Sequence, residues 1–471
     1  MKISNIKIRN YHQFKNLALD LTYPEGHQKA GQPLDKVCII GQSGTGKTSL
    51  LRLCRAIIEN DHLSADMTDI VVTSHLGGLK RIATIKDGKL TPDYPDKNTT
   101  LTMRRDDGEG HIAIKPDNYA NEEELFNDYY QEATILIYFP ATLTTFSLNI
   151  LKEGNGRDFE DFIGLKNNKK VQSQNGTRQH KFFDFTYNAV FELWNTSIIR
   201  NLKEYRNRIL QFNQKVTKAL EKGVAEAELA LNEFKAWKQN TVNPILPYAE
   251  KLNRILNEFC LEVNTDFTYE SEEDITFIEI KHRAGTEVPL SGWSTGSLQV
   301  ILTATPLLQL NTKRVIILMD EPETSLFPDI QEKMISFYTE LAPQAQFFFA
   351  THSPIIASCF EPWEVVELRF DENGYVFRKE YFDEFQARHV DNYTIDPRYL
   401  RWDSILKKLF DVNEEGNRTR ITGLMELAKL KGMLRKLKQQ AEVSAEIRAE
   451  LWQKYERVAE LVDWKLDAKD R

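Results

Sequence analysis

The stretch KVCIIGQSGTGKTSLLRLCRAIIE, Lys36 to Glu59, sets the reading of the whole chain. Lys36–Ile40 is a short apolar run that predicts a buried strand. It enters a glycine-rich turn, Gly41 to Gly46, and then a predicted amphipathic helix, Lys47 to Glu59, with Leu50, Leu51, Cys54, Ile57 and Ile58 turned inward. GQSGTGKT, Gly41 to Thr48, fits the pattern G-x-x-x-x-G-K-[ST] in the strand–turn–helix setting that the pattern requires. Glycines let successive backbone N–H groups turn inward and cradle phosphate oxygens at the positive end of a helix. The candidate binding residues for ATP are therefore Gly41, Gln42, Ser43, Gly44, Thr45, Gly46, Lys47, Thr48 and Ser49. Lys47 would reach the β- and γ-phosphates, and the Thr48 hydroxyl would hold Mg²⁺. A glycine turn capping an ordinary helix is the plain alternative.

Two further strand ends carry chemistry. In VIILMDEPETSLFP, Val315 to Pro328, the apolar run Val315–Met319 predicts a central parallel strand that delivers Asp320 and Glu321 to its C-terminal end, where ligands of parallel sheets bind. Asp320 is the candidate second magnesium residue, holding the ion through water. Glu321 is the candidate that orients or deprotonates the attacking water. In FFFATHSP, Phe347 to Pro354, a second buried strand, Gln346–Ala350, presents Thr351 and His352, the latter a candidate sensor of the γ-phosphate. A surface acidic pair and a hydrogen-bonded strand-end histidine are the plain alternatives.

Around these motifs, the opening residues ISNIKIRNYHQFKNLALDL predict two strands turning near Asn10. Residues 65–120 predict short strands broken at Asp87-Gly88 and Asp107-Gly108, and Thr134–Phe139 predicts a buried strand. Lys152 to Lys181 is polar and predicts a long mobile loop. Two charged helical stretches, 183–222 and 225–262, interrupted near Gly223 and at Pro244 and Pro247, predict a projecting helical hairpin. Thr276–Lys281 alternates as a strand, Val365–Lys379 predicts a hairpin turning at Asn373-Gly374, and the chain from Ile421 onward predicts helix to its end. There, Leu424, Leu427, Leu430, Leu434 and Leu437 form one apolar stripe, and Ile447, Leu451, Tyr455, Val458 and Leu461 form another. The stripes either pack on each other or on the rest of the molecule, or else dock a partner.

Composition limits the classes. The chain has 471 residues, 41% of them hydrophobic and 28% charged, which fits a folded chain rather than a disordered one. Its 61 Lys and Arg against 69 Asp and Glu give a net charge of −8, against a surface that is basic throughout. No apolar run reaches the ~18 residues of a membrane span, and MKISNIKIRNYHQF lacks a secretory apolar core. Cys38, Cys54, Cys260 and Cys359 lie far apart without metal-like spacing, so reduced thiols and a cytoplasmic location are expected.

The phosphate loop, DEPE (Asp320–Glu323) and THSP (Thr351–Pro354), in this order, resemble the ATP-binding cassette heads of the structural-maintenance, RecF and overcoming-lysogenization-defect class of AAA15- and AAA21-like ATPases. IKIRNYHQFKNLALDL looks like their first hairpin. The resemblance implies an α/β fold: a P-loop NTPase sheet with flanking helices, an N-terminal antiparallel β layer, a short helical-hairpin or coiled-coil insertion and a helical C-terminal tail. It also implies a signature loop before Asp320. PLSGWSTGSLQ, Pro289 to Gln299, supplies one in either of two registers, Ser294-Thr295-Gly296 (preferred) or Leu290-Ser291-Gly292. Ser294 and Gly296 would then contact the γ-phosphate of a second subunit in a head-to-head dimer or higher homo-oligomer. The family's glutamine after the strand ILIYFPA is replaced by Phe139, Pro140 and Ala141, and Phe327 stands where LHP is common. The expected organisation is an N-terminal lobe with the phosphate loop over 1–150, a polar loop and helical insertion over 151–265, a C-terminal lobe over 266–385 and a helical partner or oligomer region over 386–471.

Within that class the pattern is similar to ATPase subunits of two-component antiphage systems, Septu (PtuA-like) first and PARIS second, in which a separate chain supplies the nuclease or toxin. No motif resembling a TOPRIM nuclease follows His352. The alternative is a DNA-repair or recombination ATPase of RecF type that binds DNA directly, for which Lys166–Lys170 would be a basic contact. A housekeeping ATPase is a third reading.

Overall fold

Apolar strands buried on both faces build the centre of the molecule, and the glycine turn sits at the end of one of them. The computed structural model describes residues 2–59, 68–76, 79–86, 89–93, 101–104, 111–114, 134–141, 171–173, 176–178, 181–184, 198–265, 279–289, 292–309, 312, 315–383, 386–412, 418–438 and 445–466. These fall into two units, Met1–Ile405 and Leu406–Arg471. The Asp87-Gly88 and Asp107-Gly108 turns, Lys166–Lys170, and Leu290 and Ser291 of the second signature register lie outside the described residues.

The chain opens with the hairpin β1 (Lys2–Tyr11) and β2 (Phe14–Asp20), then β3 (Lys36–Gly41) and α1 (Lys47–Glu59). There follow β4 (Thr68–Leu76), β5 (Leu79–Lys86), β6 (Lys89–Asp93), β7 (Leu101–Arg104), β8 (His111–Ile114) and β9 (Thr134–Phe139). After β10 (Val171–Ser173), β11 (Gly176–Arg178) and β12 (Lys181–Asp184) come helices α2 (Arg200–Leu220), α3 (Val224–Asn240) and α4 (Leu246–Leu256). The second lobe has β13 (Leu261–Val263), β14 (Ile280–His282), β15 (Glu287–Val288), α5 (Thr295–Gln309), β16 (Ile316–Asp320), α6 (Pro328–Leu341) and β17 (Gln346–Ala350). The last elements are α7 (Pro354–Ala357), β18 (Val365–Phe370), β19 (Val376–Lys379), α8 (Trp402–Lys408), α9 (Arg418–Lys438) and α10 (Ala445–Leu461).

Twelve of the strands form one sheet in the order β12-β9-β16-β17-β3-β18-β19-β2-β1-β4-β5-β6. From β12 to β18 every neighbouring pair is parallel. The first hairpin and β4 to β6 continue the same sheet as an antiparallel run. The antiparallel part is thus joined edge to edge to the parallel part. Val37, Cys38, Ile39 and Ile40 of β3 are no more than 1% exposed. Burial of an apolar side chain of this size stabilises by ~1.5–3 kcal/mol. The buried Gln346 amide pins the N-terminal strand to this centre. It accepts from Ile3 N (2.6 Å) and donates to Ile3 O and Leu34 O (both 2.8 Å). An apolar run gives no hint of such a link.

Several expectations shift. Phe183 and Asp184 belong to β12, which pairs with β9, and not to a helix; the aromatic run KFFDF favours the extended chain. The polar stretch 152–181 contains the hairpin β10–β11, with Ser173 paired to Gly176, while its residues before 171 lie outside the described ones. The strand expected from Thr276 is described only as β14, from Ile280. The helices α2 and α3 do form a hairpin broken at Gly223, zipped by Tyr205 on Trp237, Phe212 on Phe234 and a Lys215–Glu233 ion pair. The turn at Asn373-Gly374 is as expected, with Gly374 at φ 80° and Asp371 Oδ1 accepting from Asn373 N and Tyr375 N.

In the second unit, helix begins at Arg418, ahead of Ile421, and α10 stops at Leu461. The two stripes face each other. Leu427, Leu430 and Leu434 pack with Tyr455, Val458, Ala459 and Val462, and Leu424, Leu451 and Trp452 border them. Ile447 and Leu461 stay exposed; at the C-terminal end of α10 it is Val458, Ala459 and Val462, not Leu461, that face α9. With so few buried residues this core depends on Tyr455, the fully buried one. Tyr455→Ala should cost about 3–5 kcal/mol, the range for aromatic truncation, and melt the α9–α10 pair while ATP binding persists. Circular dichroism melts combined with nucleotide titration test this. Unchanged helicity in the variant contradicts it.

Candidate active site

The order β16-β17-β3 sets three strand ends side by side, with Asp320 opposite Ala350 and Ala350 opposite Ile39. The phosphate loop leaves β3 at Gly41, which has φ 152°; a Cβ there would lie 2.4 Å from Leu368 O. Gly46 has φ 85°, and its Cβ would lie 2.1 Å from Gln13 Nε2. Neither position admits a side chain, so both the turn and the close approach demand glycine. Gln13, between β1 and β2, donates to Gly44 O at 3.3 Å and places the first hairpin against the loop. Thr45 Oγ1 donates to Gln42 O at 2.8 Å, bracing the turn from inside.

Lys47 is buried, and its Nζ donates to Gly41 O (3.0 Å) and Gln42 O (3.2 Å). Burial pushes its pKa down to about 8, against the pull of Glu321, Asp320 and Glu323. Thr48 Oγ1 donates to Asp320 Oδ1 at 3.1 Å, joining the helix that begins at the loop to the end of β16. Burial raises the Asp320 pKa, while the Thr48 hydrogen bond holds it down. Ser49 lies in the first turn of α1.

After Asp320 the chain makes a tight turn. Glu321 adopts the left-handed region at φ 48°, uncommon outside glycine and costly enough to mark functional turns. Its N–H donates to Ala350 O (2.8 Å), and its side chain points to His352, with Oε1 3.9 Å from Nε2. Burial and then the Lys47 charge lower the His352 pKa, with Glu321 opposing both. His352 is thus favoured as the neutral imidazole.

Residues that were not singled out from the sequence complete the site. Glu323 Oε1 accepts from Thr351 Oγ1 (2.6 Å) and from His352 N (2.9 Å). Ser353 Oγ donates to Gln331 Oε1 (2.6 Å), and Gln331 Nε2 donates to Leu326 O (2.8 Å). Glu323 stands in DEPE beside Asp320 and Glu321, yet spacing alone does not show that its carboxylate folds back on THSP.

Ser294 caps α5, its Oγ accepting from Ser297 N at 3.1 Å. Gly296 lies in the first helical turn, where a Cβ would come within 2.6 Å of Ser325 O. The preferred register starts a helix, and the contacts of Ser294 and Gly296 are with α5 itself and with the turn after Asp320. They do not join the phosphate loop of their own chain. Phe139 ends β9 opposite Met319 of β16, so the position of the expected glutamine does border the Asp320 strand.

The donor set fits nucleotide and magnesium. The cradle is closed to a Cβ at Gly41 and Gly46 and holds a buried ammonium, and Thr48 and Asp320 offer hard oxygens. Among the described residues no three His, Cys, Asp or Glu side chains cluster as a metal cage. Mg²⁺ characteristically takes one or two protein oxygens and completes its shell with phosphate and water.

Solved structures similar to this chain include the SMC head domain from Thermotoga maritima, at 10% identity and TM-score 0.37, covering 81% of this chain and 99% of that one. Another is an Smc head bound to the C-winged helix domain of ScpA, at 10% identity and TM-score 0.40, covering 80% and 97%. A third is an Smc head with an extended coiled coil bound to the C-terminal domain of ScpA derived from Pyrococcus furiosus, at 10% and 0.36, covering 80% and 96%. No curated protein matches. The AAA ATPase domain model matches residues 1–357, which span the phosphate loop, Asp320-Glu321 and His352. The chain belongs to the AAA ATPase domain family.

Proposed function

We propose that this chain binds Mg²⁺-ATP at Gly41–Ser49 and hydrolyses it with Glu321 and His352. The observation that carries this reading is the Thr48–Asp320 hydrogen bond, which brings the two candidate magnesium residues together beneath a buried lysine. Phosphate oxygens replace Gly41 O and Gln42 O as acceptors of Lys47. When bound, Mg²⁺ supplies charge neutralisation between the phosphates. Glu321, partly exposed at the turn, orients the attacking water and takes its proton, and His352 reads the γ-phosphate from beside it.

Hydrolysis requires a second subunit. Ser294 and Thr295 are exposed at the N-terminus of α5, and Phe327, an exposed large apolar residue, closes the turn that bears Glu321. These groups would complete a neighbour's site through Ser294 and Gly296. The nucleotide-driven assembly would control a separate nuclease or toxin chain in antiphage defence, as in the Septu and PARIS systems. Support for this finer reading is the motif set and the net charge of −8, which disfavours a surface that grips DNA throughout. Among the described residues, no helix is long and apolar enough to cross a membrane.

Two outcomes are expected. Glu321→Gln should bind ATP, stop turnover and accumulate an ATP-dependent dimer, and adding Phe327→Glu should abolish the dimer while leaving ATP affinity unchanged. Light scattering with nucleotide titration reads both. Parental turnover in Glu321→Gln, or a dimer that survives Phe327→Glu, contradicts the reading. The second concerns pH. Lys47 is depressed to about 8 in the free chain, and ATP favours its charged form, so affinity is full below pH 8. Above it, affinity should fall by up to about tenfold per pH unit, as binding must restore the proton. Lys47→Arg, which stays charged, should flatten the profile. Affinity of the parent chain that is level to pH 9.5 contradicts this.

A further inference from the structure

The turn after β16 reaches His352 from two sides. Glu321 faces its imidazole, at 3.9 Å, and Glu323 accepts from its backbone N–H, at 2.9 Å. The same Glu323 oxygen accepts from Thr351 Oγ1 at 2.6 Å, so one carboxylate atom clamps two successive residues of the loop leaving β17. Resting on the reading of Glu321 and His352 as the hydrolytic pair, we propose that Glu323 is the positioning residue that sets His352 against Glu321.

The geometry gives the clamp its force. Thr351 is buried, and the β17 ladder ends at Ala350, so the peptide linking Thr351 to His352 is no longer held by a neighbouring strand through its N–H. Without a partner that N–H would be free to rotate, carrying the imidazole with it. Glu323 supplies the partner from a turn that is itself fixed: Leu326 N donates to Glu323 O (2.9 Å), Thr324 N to Glu321 O (3.1 Å), and Gln331 ties Leu326 O to Ser353. Ser353 N in turn donates to Thr351 Oγ1 at 2.9 Å. Glu323, Thr351, Ser353, Gln331 and Leu326 thus form one closed ring of hydrogen bonds. The His352 N–H hangs from it on Glu323, and Thr324 N holds the Glu321 carbonyl beside it, so a shift of the turn moves both members of the hydrolytic pair together.

The second oxygen of Glu323 makes the role specific. Oε2 is buried and has no hydrogen-bond partner among the described residues. Burial raises the Glu323 pKa, with the Thr351 hydrogen bond opposing. The clamp therefore needs a single accepting oxygen at full side-chain length, and not a second charged oxygen. An amide provides that oxygen. A carboxylate shorter by one methylene does not reach both donors.

The test is a steady-state ATPase comparison of Glu323→Gln, Glu323→Asp, His352→Ala and the pair Glu323→Asp/His352→Ala. Glu323→Gln should keep kcat within about threefold of the parent, while Glu323→Asp should lose about tenfold or more with KM for ATP unchanged, as expected when a hydrolytic group is misplaced rather than nucleotide binding lost. In the His352→Ala background, Glu323→Asp should cost less than about twofold, because residues that act through one another are not additive. Additive losses in the double variant, or Glu323→Gln as inactive as Glu323→Asp, overturn the positioning role. Parental kcat in His352→Ala overturns the hydrolytic reading beneath it, and that outcome is distinct from the additive one.

Discussion

The hydrogen bond from Thr48 to Asp320, 3.1 Å long, is the contact on which the site depends. It joins the first turn of α1 to the end of a strand two places away in the sheet, and it forms only if β16, β17 and β3 keep their register. The ladder sets that register, pairing Asp320 with Ala350 and Ala350 with Ile39, two residues before β3 ends at Gly41. The apolar runs that fill these strands are therefore the means by which an acid and a hydroxyl far apart in sequence become neighbours. They also explain why Asp320 remains in a buried place: the hydroxyl of Thr48 offsets part of what desolvation costs the carboxylate.

The same edge concentrates opposing charges. Lys47 is surrounded by Glu321, Asp320 and Glu323, yet burial dominates and weakens its hold on the proton. A nucleotide would add negative charge where the lysine is underprotected by solvent. Magnesium would offset the acids at the same time. Binding of the two would thus be mutually supportive, because each removes the charge imbalance that the other creates.

Much of this was legible in the sequence, for physical reasons. The loop from Gly41 to Thr48 has a pattern fixed by backbone sterics, and the helix after it carries a clean apolar face, so strand, turn and helix were readable to the residue at Lys47 and Glu59. Asp320 and His352 followed from solid apolar runs ending in polar residues. What was not legible depends on tertiary contact. Glu323 reads as one more acid until the fold turns it onto Thr351, and Gln346 reads as a strand flank until β1 arrives beside it. Gly296 reads as a signature glycine, while its packing against Ser325 O appears only in three dimensions. The leucine stripes of α9 and α10 left two readings open, and their mutual packing decides how most of their apolar surface is used.

The central claim, that Thr48 and Asp320 form the protein half of a magnesium site, is most directly tested by manganese in place of magnesium. Electron paramagnetic resonance of Mn²⁺ with ATP would be compared between the parent chain and Asp320→Asn. The account predicts that Asp320→Asn weakens Mn²⁺ binding by about tenfold or more, with metal-free ATP binding retained. Equal Mn²⁺ affinity and an identical spectrum in the two chains would contradict it.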